Sequence, residues 1–445
     1  MMKELKIEHA WLCIPKDGEI VPVFGNIHIE NGIITKIEEV KEKTVGFSPV
    51  ILSANVIEAG GRVVTLPNVN FHDHFYSRLA KGLDIKKSTA EFPLILENLW
   101  WKLDTVLDED MIAASAQMAL LESIRNGVTY IFDHHSSPNT SRKILKQIAT
   151  EITHFGLRGV VCFETTDRGG QELSKSGFEE NVMFLEKHQS NKVKGIFGLH
   201  ASFTLDDATL QKVADYVKTH DCGIHIHLCE DASDRTISME KYGETPVKRL
   251  AKFGLLNRKS ILAHCIHLDD EDRKIIADSG AAVVYNFDSN LNNQVGLPQL
   301  AKLPQSVPVL CGTDGMNAKP HSTFRNLFLF GRHQGMSFGD AIALVKKSYF
   351  DQITFARHYF HDFPTLQQGS RADLIVWDYI PPTPFDQNTF WGHYLYGVLE
   401  RNIHTVIQNG NLLMDHSRIQ FPQDIYFNSI AVQGARLKQS FEKES

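Results

Sequence analysis

The strongest constraint on the fold of this chain is a regular alternation of apolar runs with helix-like stretches between residues 60 and 370. Continuous apolar runs of four to seven residues are typical of strands that are buried on both faces of a parallel sheet. The eight runs are 63–69, 130–133, 159–163, 195–199, 223–228, 260–263, 282–285 and 308–311. The alternation predicts an α/β protein whose residues 59–370 form a parallel (β/α)8 TIM-type barrel.

The two ends of the chain carry a different pattern, in which apolar and polar residues alternate over short runs. Examples are 25–29 and 34–37 near the amino terminus, and 373–377 and 405–408 near the carboxyl terminus. Such alternation is typical of strands with one solvated face. We expect residues 1–58 and 371–445 to pair into one small accessory β-sandwich domain.

The first candidate site motif is His72-Asp-His74, which follows the apolar run 63–69. With 21 histidines among 445 residues, chance alone supplies about one pair of histidines at this spacing, so the motif is weak by itself. The position of the motif strengthens its interpretation as part of a site, because strand alternation puts both side chains on one face near a strand's carboxyl end.

A second pair, His225 and His227, lies in the run 223–228 just before the acidic residue Glu230. His227 is the better candidate for a metal ligand, because the carboxylate of Glu230 would follow the strand end beside it. His225 shares its face and fits equally well a core histidine that is satisfied by hydrogen bonds.

Two further runs end in side chains suited to the same chemistry, namely His264 and, after Gly312-Thr313, Asp314. In a parallel barrel the functional side chains come from the carboxyl ends of several strands, where all these candidates fall. Three neutral imidazoles and one carboxylate suit a divalent metal that keeps room for water. Such a metal lowers the pKa of that water, while Glu230 and Asp314 are suited to moving its protons. The set predicts hydrolytic chemistry.

Charge and hydropathy exclude several classes of partner. The net charge of −7 argues against a nucleic acid held by charge. No run of 18 apolar residues predicts a membrane span, and the amino terminus carries no apolar signal region. We expect a cytoplasmic enzyme with a small-molecule substrate.

These motifs together resemble the amidohydrolase superfamily, in particular its mononuclear deaminase and chlorohydrolase branch. The segments that carry the resemblance are 72–74, 198–204, 227–230, 264, 289–290, 312–315 and 372–376. Within that branch the chain is similar to the SsnA-type aminohydrolases, through residues 99–104, 133–138 and 377–384. The substrate of that group is not settled.

The resemblance implies roles that spacing alone leaves open. The metal ligands would be His72, His74, His227 and Asp314. Glu230 would act as the proton shuttle, His264 would orient the attacking hydroxide, and His200 would contact the substrate. Binuclear members of the superfamily carry a bridging lysine or glutamate on a middle strand, whereas strand four here ends in Gly-Leu-His200 with no lysine. One ion is therefore expected, Zn²⁺ or alternatively Fe²⁺. The resemblance also implies a homodimer or larger homo-oligomer.

Further substrate contacts are expected from side chains near the barrel mouth. Trp100 and Trp101 would lie there, where an indole can stack on a planar ring, although adjacent tryptophans also pack helices and interfaces. Asn290 and His321 would add polar donors around a small heterocycle, or serve as ordinary loop and helix-start residues.

The sequence therefore predicts a hydrolase acting on carbon–nitrogen bonds other than peptide bonds, by deamination of an amino-substituted purine, pterin, pyrimidine or related heterocycle. The same apparatus would also suit dechlorination or cyclic-amide hydrolysis. The pattern is compatible as well with a binuclear amide hydrolase and with a catalytically silent barrel.

Overall fold

The computed structural model describes residues 4–40 and 55–443 of the chain. Residues 41–54 of the expected accessory domain, and the extreme ends of the chain, lie outside the described residues. The chain divides into two compact units. The first comprises residues 1–69, 121–130 and 360–423, and the second comprises residues 70–120, 131–359 and 424–445.

The first unit is built on one nine-stranded sheet that combines strands from both ends of the chain. In chain order its strands are Glu4–Lys16, Glu19–Glu30, Ile33–Glu39, Val56–Glu58, Val63–Thr65, Leu374–Trp377, Ile403–Gln408, Asn411–Asp415 and Arg418–Ile419. The two ends meet where Leu374–Trp377 pairs antiparallel with Val63–Thr65. The terminal segments thus share one sheet, and their arrangement as a sandwich stays a prediction.

Eight buried strands lie wholly or mainly in the second unit, and several of them end at or near the candidate site residues. They are β1 (Asn68–His74), β2 (Val128–His135), β3 (Arg158–Phe163), β4 (Phe197–Ala201), β5 (Ile224–Leu228), β6 (Ile261–His264), β7 (Ala282–Tyr285) and β8 (Val309–Cys311). Strands β4 to β8 form a parallel sheet in chain order. Strands β1 to β3 form a second sheet, flanked by the short strands Asp314–Gly315 and Val193–Gly195.

Two links join the edges of these sheets. Just beyond β8, Asp314 and Gly315 pair in parallel with Asp73 and His74 of β1. Beyond β3, Thr165 forms an isolated parallel bridge with Leu199 of β4. The first link explains why ligands far apart in sequence lie together, because it places Asp314 directly beside the His72–His74 strand end.

The apolar run 63–69 corresponds to two strands and not one. Val63–Thr65 belongs to the nine-stranded sheet of the first unit, whereas His72 and His74 end the separate strand β1. Pro67 separates them, because proline offers no backbone N–H to a strand ladder and restricts the residue before it. The expected position of both histidines at a strand's carboxyl end holds for β1.

Helices connect most of the eight strands. The α-helices are Phe92–Ile95, Trp101–Val106, Glu109–Arg125, Ile144–His154, Gln171–Lys187, Asp207–Thr219, Ala232–Tyr242, Pro246–Lys252, Asp270–Ser279, Phe287–Asn292, Pro320–His333, Phe338–Ala356, Phe390–Tyr396 and Asp424–Lys443. A π-helical turn, Leu96–Trp100, interrupts the helical segment after β1. Short 3-10 helices are Phe75–Ala80, Pro138–Thr140, Ser202–Thr204, Leu300–Lys302 and Val398–Glu400.

The last helix, Asp424–Lys443, lies in the second unit, whereas the expected domain boundary placed this segment with the accessory domain. The physical reason is its packing. Leu437 and Phe441 are buried, and the ammonium group of Lys102 lies 3.9 Å from the centre of the Phe441 ring. Within the described residues, no helix is long and apolar enough to cross a membrane.

Candidate functional site

The carboxyl ends of three strands bring the expected metal ligands together. His72 and His74 end β1, His227 lies near the end of β5, and Asp314 follows β8. His74 Nε2 lies 3.1 Å from His227 Nε2 and 2.9 Å from Asp314 Oδ1. His72 Nε2 lies 3.2 Å from the same carboxylate oxygen.

These distances fit a shared cation. Ligand atoms that each bind one ion at about 2.1 Å lie about 3–3.4 Å from one another. His72 Nε2 is buried and makes no hydrogen bond in the described part of the chain. Lone pairs this close repel one another unless a proton or cation lies between them. The donor set of His72, His74, His227 and Asp314, with three imidazole nitrogens and one carboxylate oxygen, therefore fits a divalent metal ion.

Two groups of four possible ligand atoms lie within 4.8 Å of one another in this region. One comprises His72, His227, His264 and Asp314, and the other comprises His72, His74, His134 and His227. Both ring nitrogens of His134 are already engaged, however. Nδ1 lies 3.0 Å from Glu164 Oε1, and Nε2 lies 3.1 Å from the Leu199 carbonyl oxygen and 3.0 Å from that of His225. The set that contains Asp314 therefore offers the freer ligand atoms.

Backbone carbonyls orient two of the ligand rings. His74 Nδ1 lies 2.5 Å from the carbonyl oxygen of His134, and His227 Nδ1 lies 2.9 Å from that of His200. Since a carbonyl oxygen only accepts, each Nδ1 carries the hydrogen and donates it. This leaves the Nε2 lone pair of each ring free to bind a metal.

Glu230 and His264 lie beside the ligand set. His264 Nε2 lies 3.6 Å from Glu230 Oε2 and 3.8 Å from Asp314 Oδ2. The same Asp314 oxygen accepts a hydrogen bond of 2.5 Å from the Ser289 hydroxyl. One imidazole thus faces two carboxylates at distances longer than a direct hydrogen bond.

Burial and the neighbouring imidazoles together give Glu230 and Asp314 different pKa values. Burial raises the pKa of Glu230 to about 7, even though nearby His264 opposes the shift. Burial acts in the same direction on Asp314, but the imidazoles of His72 and His74 next to its carboxylate outweigh it and hold the pKa of Asp314 well below its usual range. Near neutral pH, Glu230 can supply a proton while Asp314 stays ionised. Such divergent pairs are typical of acid–base sites.

The backbone at the site is strained at the strand ends. His264 has a φ of 74° and Asp314 a φ of 60°, in the left-handed region that few non-glycine residues adopt. Each such residue costs about 1–3 kcal/mol and persists only where its surroundings hold it. Gly312 allows the close approach before Asp314, because a Cβ there would lie 2.3 Å from Asn286 Oδ1 and 2.9 Å from His72 Cβ.

A cavity opens beside these residues. Its lining includes three of the expected substrate contacts, namely Trp100, Trp101 and His200. Asn290 and His321 are not among the lining residues. The Asn290 side chain is buried behind His264, where its Oδ1 accepts a 2.8 Å hydrogen bond from His264 Nδ1. His321 belongs to the first turn of Pro320–His333, and its Nδ1 is buried.

The acidic residues of the cavity wall that were not predicted from the sequence include Glu164 and Asp104. Glu164 directly follows β3, so the strand-end argument that singled out Asp314 applies to it equally. Asp104 carries no such signal. Its Oδ2 accepts hydrogen bonds from Ser136 Oγ and Arg168 Nη2, at 2.9 and 3.2 Å, and only the fold brings these two donors to it.

Comparison with known proteins places the chain among metal-dependent hydrolases. A model of the amidohydrolase family matches residues 64–413. The chain is 31% identical over 305 residues to a 5-methylthioadenosine/S-adenosylhomocysteine deaminase of Caldicellulosiruptor saccharolyticus, covering 68% of this chain and 67% of the relative. It is 27% identical over 436 residues to a 5'-deoxyadenosine deaminase of Methanosarcina barkeri, covering 94% of both chains.

Solved structures share the fold. An adenosine deaminase from Xanthomonas campestris with bound zinc superposes with a TM-score of 0.80 at 19% identity, covering 98% of both chains. An atrazine chlorohydrolase from Arthrobacter aurescens, also complexed with zinc, gives a TM-score of 0.76 at 16% identity, covering 98% of this chain and 100% of that one.

Proposed function

This chain belongs to the amidohydrolase family, and we propose that it is a mononuclear metal-dependent aminohydrolase that deaminates an amino-substituted heterocycle and releases ammonia. The observation that carries the proposal is that His227 Nε2 and Asp314 Oδ1 both lie within 3.1 Å of His74 Nε2, with Glu230 and His264 beside them. The relatives named as adenosine-type deaminases favour a purine ring or a close analogue as the substrate.

The proposed architecture is a closed (β/α)8 barrel with an accessory β-sandwich from the two chain ends. Supporting observations are the parallel order of β4 to β8, the pairing of Asp314 with Asp73, and the Thr165–Leu199 bridge. In such a barrel the carboxyl ends of all eight strands form one catalytic face.

The proposed metal ligands are Nε2 of His72, His74 and His227, with Oδ1 of Asp314. One Zn²⁺ or Fe²⁺ suits this set of three nitrogens and one oxygen. A divalent ion held there supplies Lewis-acid chemistry and lowers the pKa of a water toward neutrality. The orphaned, buried Nε2 of His72 supports this assignment, because a ligand atom needs a free lone pair.

The protein's own acid–base groups complete the reaction. Asp314 Oδ2, next to His264 Nε2, accepts a proton from the attacking water. Glu230, which burial keeps protonated up to a pH of about 7, donates its proton to a ring nitrogen of the substrate and so makes the amine-bearing carbon more electrophilic. After attack at that carbon, a proton delivered to the departing amine allows the carbon–nitrogen bond to break and ammonia to leave.

The cavity wall opposite these groups would hold the substrate. Trp100 and Trp101 offer apolar ring faces, and His200 lies near them, with its ring centre 6.4 Å from that of Trp101. Asp104 Oδ1 and Trp101 Nε1 are buried and make no hydrogen bond in the described residues. A polar substituent on the substrate would satisfy this acceptor and this donor, since buried polar groups are costly when unpaired.

Product analysis tests the proposed reaction. Metal-replete protein is incubated in ¹⁸O-labelled water with purines, pterins, pyrimidines and chlorinated triazines, and the products are identified by mass spectrometry. Replacement of an amino group by labelled oxygen supports the proposal. Ring opening, or loss of chloride without loss of an amine, would instead identify cyclic-amide hydrolysis or dechlorination. Unchanged compounds throughout would favour the silent barrel.

A further inference from the structure

His225 contacts the proposed metal ligand His72, but none of the roles assigned above falls to it. It lies in β5 two residues before His227 and is fully buried. Its Nε2 lies 2.8 Å from Nδ1 of His72, and the two ring planes meet at 58°. This distance is that of a hydrogen bond, so one of the facing nitrogens donates and the other accepts.

This contact distinguishes His72 from the other two ligand histidines. His74 and His227 each donate Nδ1–H to a backbone carbonyl oxygen, which can only accept. Their tautomer is therefore fixed by the backbone. The partner of His72 is an imidazole nitrogen, which accepts in one tautomer and donates in the other. The tautomer of His72 thus depends on that of His225.

Two proton arrangements satisfy the contact. In the first, His72 donates Nδ1–H to His225 Nε2, which leaves His72 Nε2 free to bind a metal and puts the His225 proton on Nδ1. In the second, His225 donates Nε2–H to His72 Nδ1, and His72 turns its own Nε2–H toward Asp314 Oδ1, 3.2 Å away. Only the first arrangement is compatible with a metal on His72.

The first arrangement has an energetic cost in the protein. His225 Nδ1 is buried and makes no hydrogen bond within the described part of the chain. A buried N–H without an acceptor is unfavourable. In the second arrangement both N–H groups of the pair face an acceptor, because the His72 Nε2–H points toward Asp314 Oδ1. The metal-free site is therefore expected to adopt the second arrangement.

We propose that His225 is a positioning residue that sets the tautomer of His72, so that metal binding moves the proton of each ring to its other nitrogen. The inference rests on the proposed function, because it takes His72 Nε2 as a metal ligand. It assigns to His225 the outer-shell task that a carboxylate or carbonyl performs at most histidine-bound metals.

Zinc affinity tests the proposal without any substrate. Metal-free protein is titrated with Zn²⁺ in competition with a chromophoric chelator, for the unsubstituted chain and for His225→Phe and His225→Gln. Phenylalanine fills the space but offers no acceptor, and we expect zinc affinity to fall about 10–100-fold. Glutamine places an amide oxygen near the position of Nε2, and we expect it to restore most of the affinity.

His135→Phe is the matched control. His135 is a fully buried histidine of β2 whose Nε2 bonds the Ser137 hydroxyl at 2.8 Å, so its loss should leave zinc affinity unchanged. Folded His225→Phe protein that binds Zn²⁺ as tightly as the unsubstituted chain would overturn the inference and leave the proposed deamination intact. If zinc affinity falls in His225→Phe as expected but no compound yields ammonia, the inference about His225 stands and the proposed deamination is overturned.

The unsubstituted protein provides a second test if His225→Phe does not fold. Protein labelled with ¹⁵N in histidine is compared by NMR with and without Zn²⁺, and the spectrum of His225→Gln identifies the His225 signals. We expect His225 Nε2 to change from a protonated to an unprotonated nitrogen on zinc binding, and Nδ1 to change in the opposite sense. The same tautomer in both forms would contradict the proposal.

Discussion

Asn290 Oδ1 lies 2.8 Å from Nδ1 of His264 and accepts its hydrogen, which turns His264 Nε2 toward Glu230 and Asp314. The Asn290 side chain is fully buried, so this hydrogen bond is shielded from water. We therefore expect Asn290 to act through His264, whereas the sequence predicted that it contacts the substrate.

Asn290→Ala should lower kcat more than it changes KM, because His264 loses the partner that fixes its ring and tautomer. A loss of about 10–100-fold is expected, as for other outer-shell partners. Asn290→Asp keeps an acceptor and should retain more activity than Asn290→Ala. The exposed neighbour Asn292 supplies the control, since Asn292→Ala should behave as the unsubstituted protein. Equal kcat for Asn290→Ala and the control would show that His264 needs no such support.

Glu230→Gln should lose about 10²–10⁴-fold in turnover while keeping its metal, because glutamine cannot donate a carboxyl proton. Metal content by elemental analysis and steady-state rates are measured on the same sample. Glu240→Gln, on the exposed face of Ala232–Tyr242, is the control. In the unsubstituted enzyme, kcat/KM should fall as pH rises through about 7, since burial raises the pKa of Glu230 to about that value. Normal turnover by Glu230→Gln would remove the assigned role.

Substitution of the two tryptophans should raise KM with little change in kcat. Trp101→Leu removes both the ring face and the buried Nε1–H, whereas Trp101→Phe keeps a ring and removes only the donor. The Arg168 guanidinium already covers one face of Trp101, 4.5 Å from the ring centre. We expect about a 3–10-fold higher KM for Trp101→Leu and for Trp100→Leu. Values of KM that stay unchanged in both variants would exclude ring stacking.

Asp133 should make stability depend on pH. Burial raises its pKa to about 8, so the folded protein keeps a proton that the unfolded chain releases above its ordinary value of 3.8. The unfolded state then binds fewer protons, and the free energy of unfolding falls as pH rises from about 4 to about 8. Asp133→Asn still accepts the Phe75 N–H and cannot ionise. Its unfolding temperature should exceed that of the unsubstituted protein increasingly up to pH about 8. A constant difference between the two proteins across this range would contradict the assignment.

Much of the candidate site could be predicted from the sequence, because apolar periodicity locates the strands and reactive residue types mark their ends. Every expected ligand lies at or just beyond a strand's carboxyl end, because that edge position follows from local alternation alone. The split of residues 63–69 at Pro67 was missed, since a short apolar run does not reveal which sheet each half joins. The pairing of Asp104 with Arg168, and of Asn290 with His264, depends on packing between distant segments, which no local pattern encodes.

Ammonia release as a function of bound metal tests the central claim most directly. Metal-free protein is titrated with Zn²⁺, and separately with Fe²⁺ under anaerobic conditions. Each titration is repeated with 5'-deoxyadenosine, adenine, guanine, pterin and cytosine in turn, and Glu230→Gln is the control. The account predicts release of ammonia from at least one compound, rising to a plateau at one metal per chain and nearly lost in the control. Release that needs no metal, that requires two ions per chain, or that persists in Glu230→Gln would contradict it.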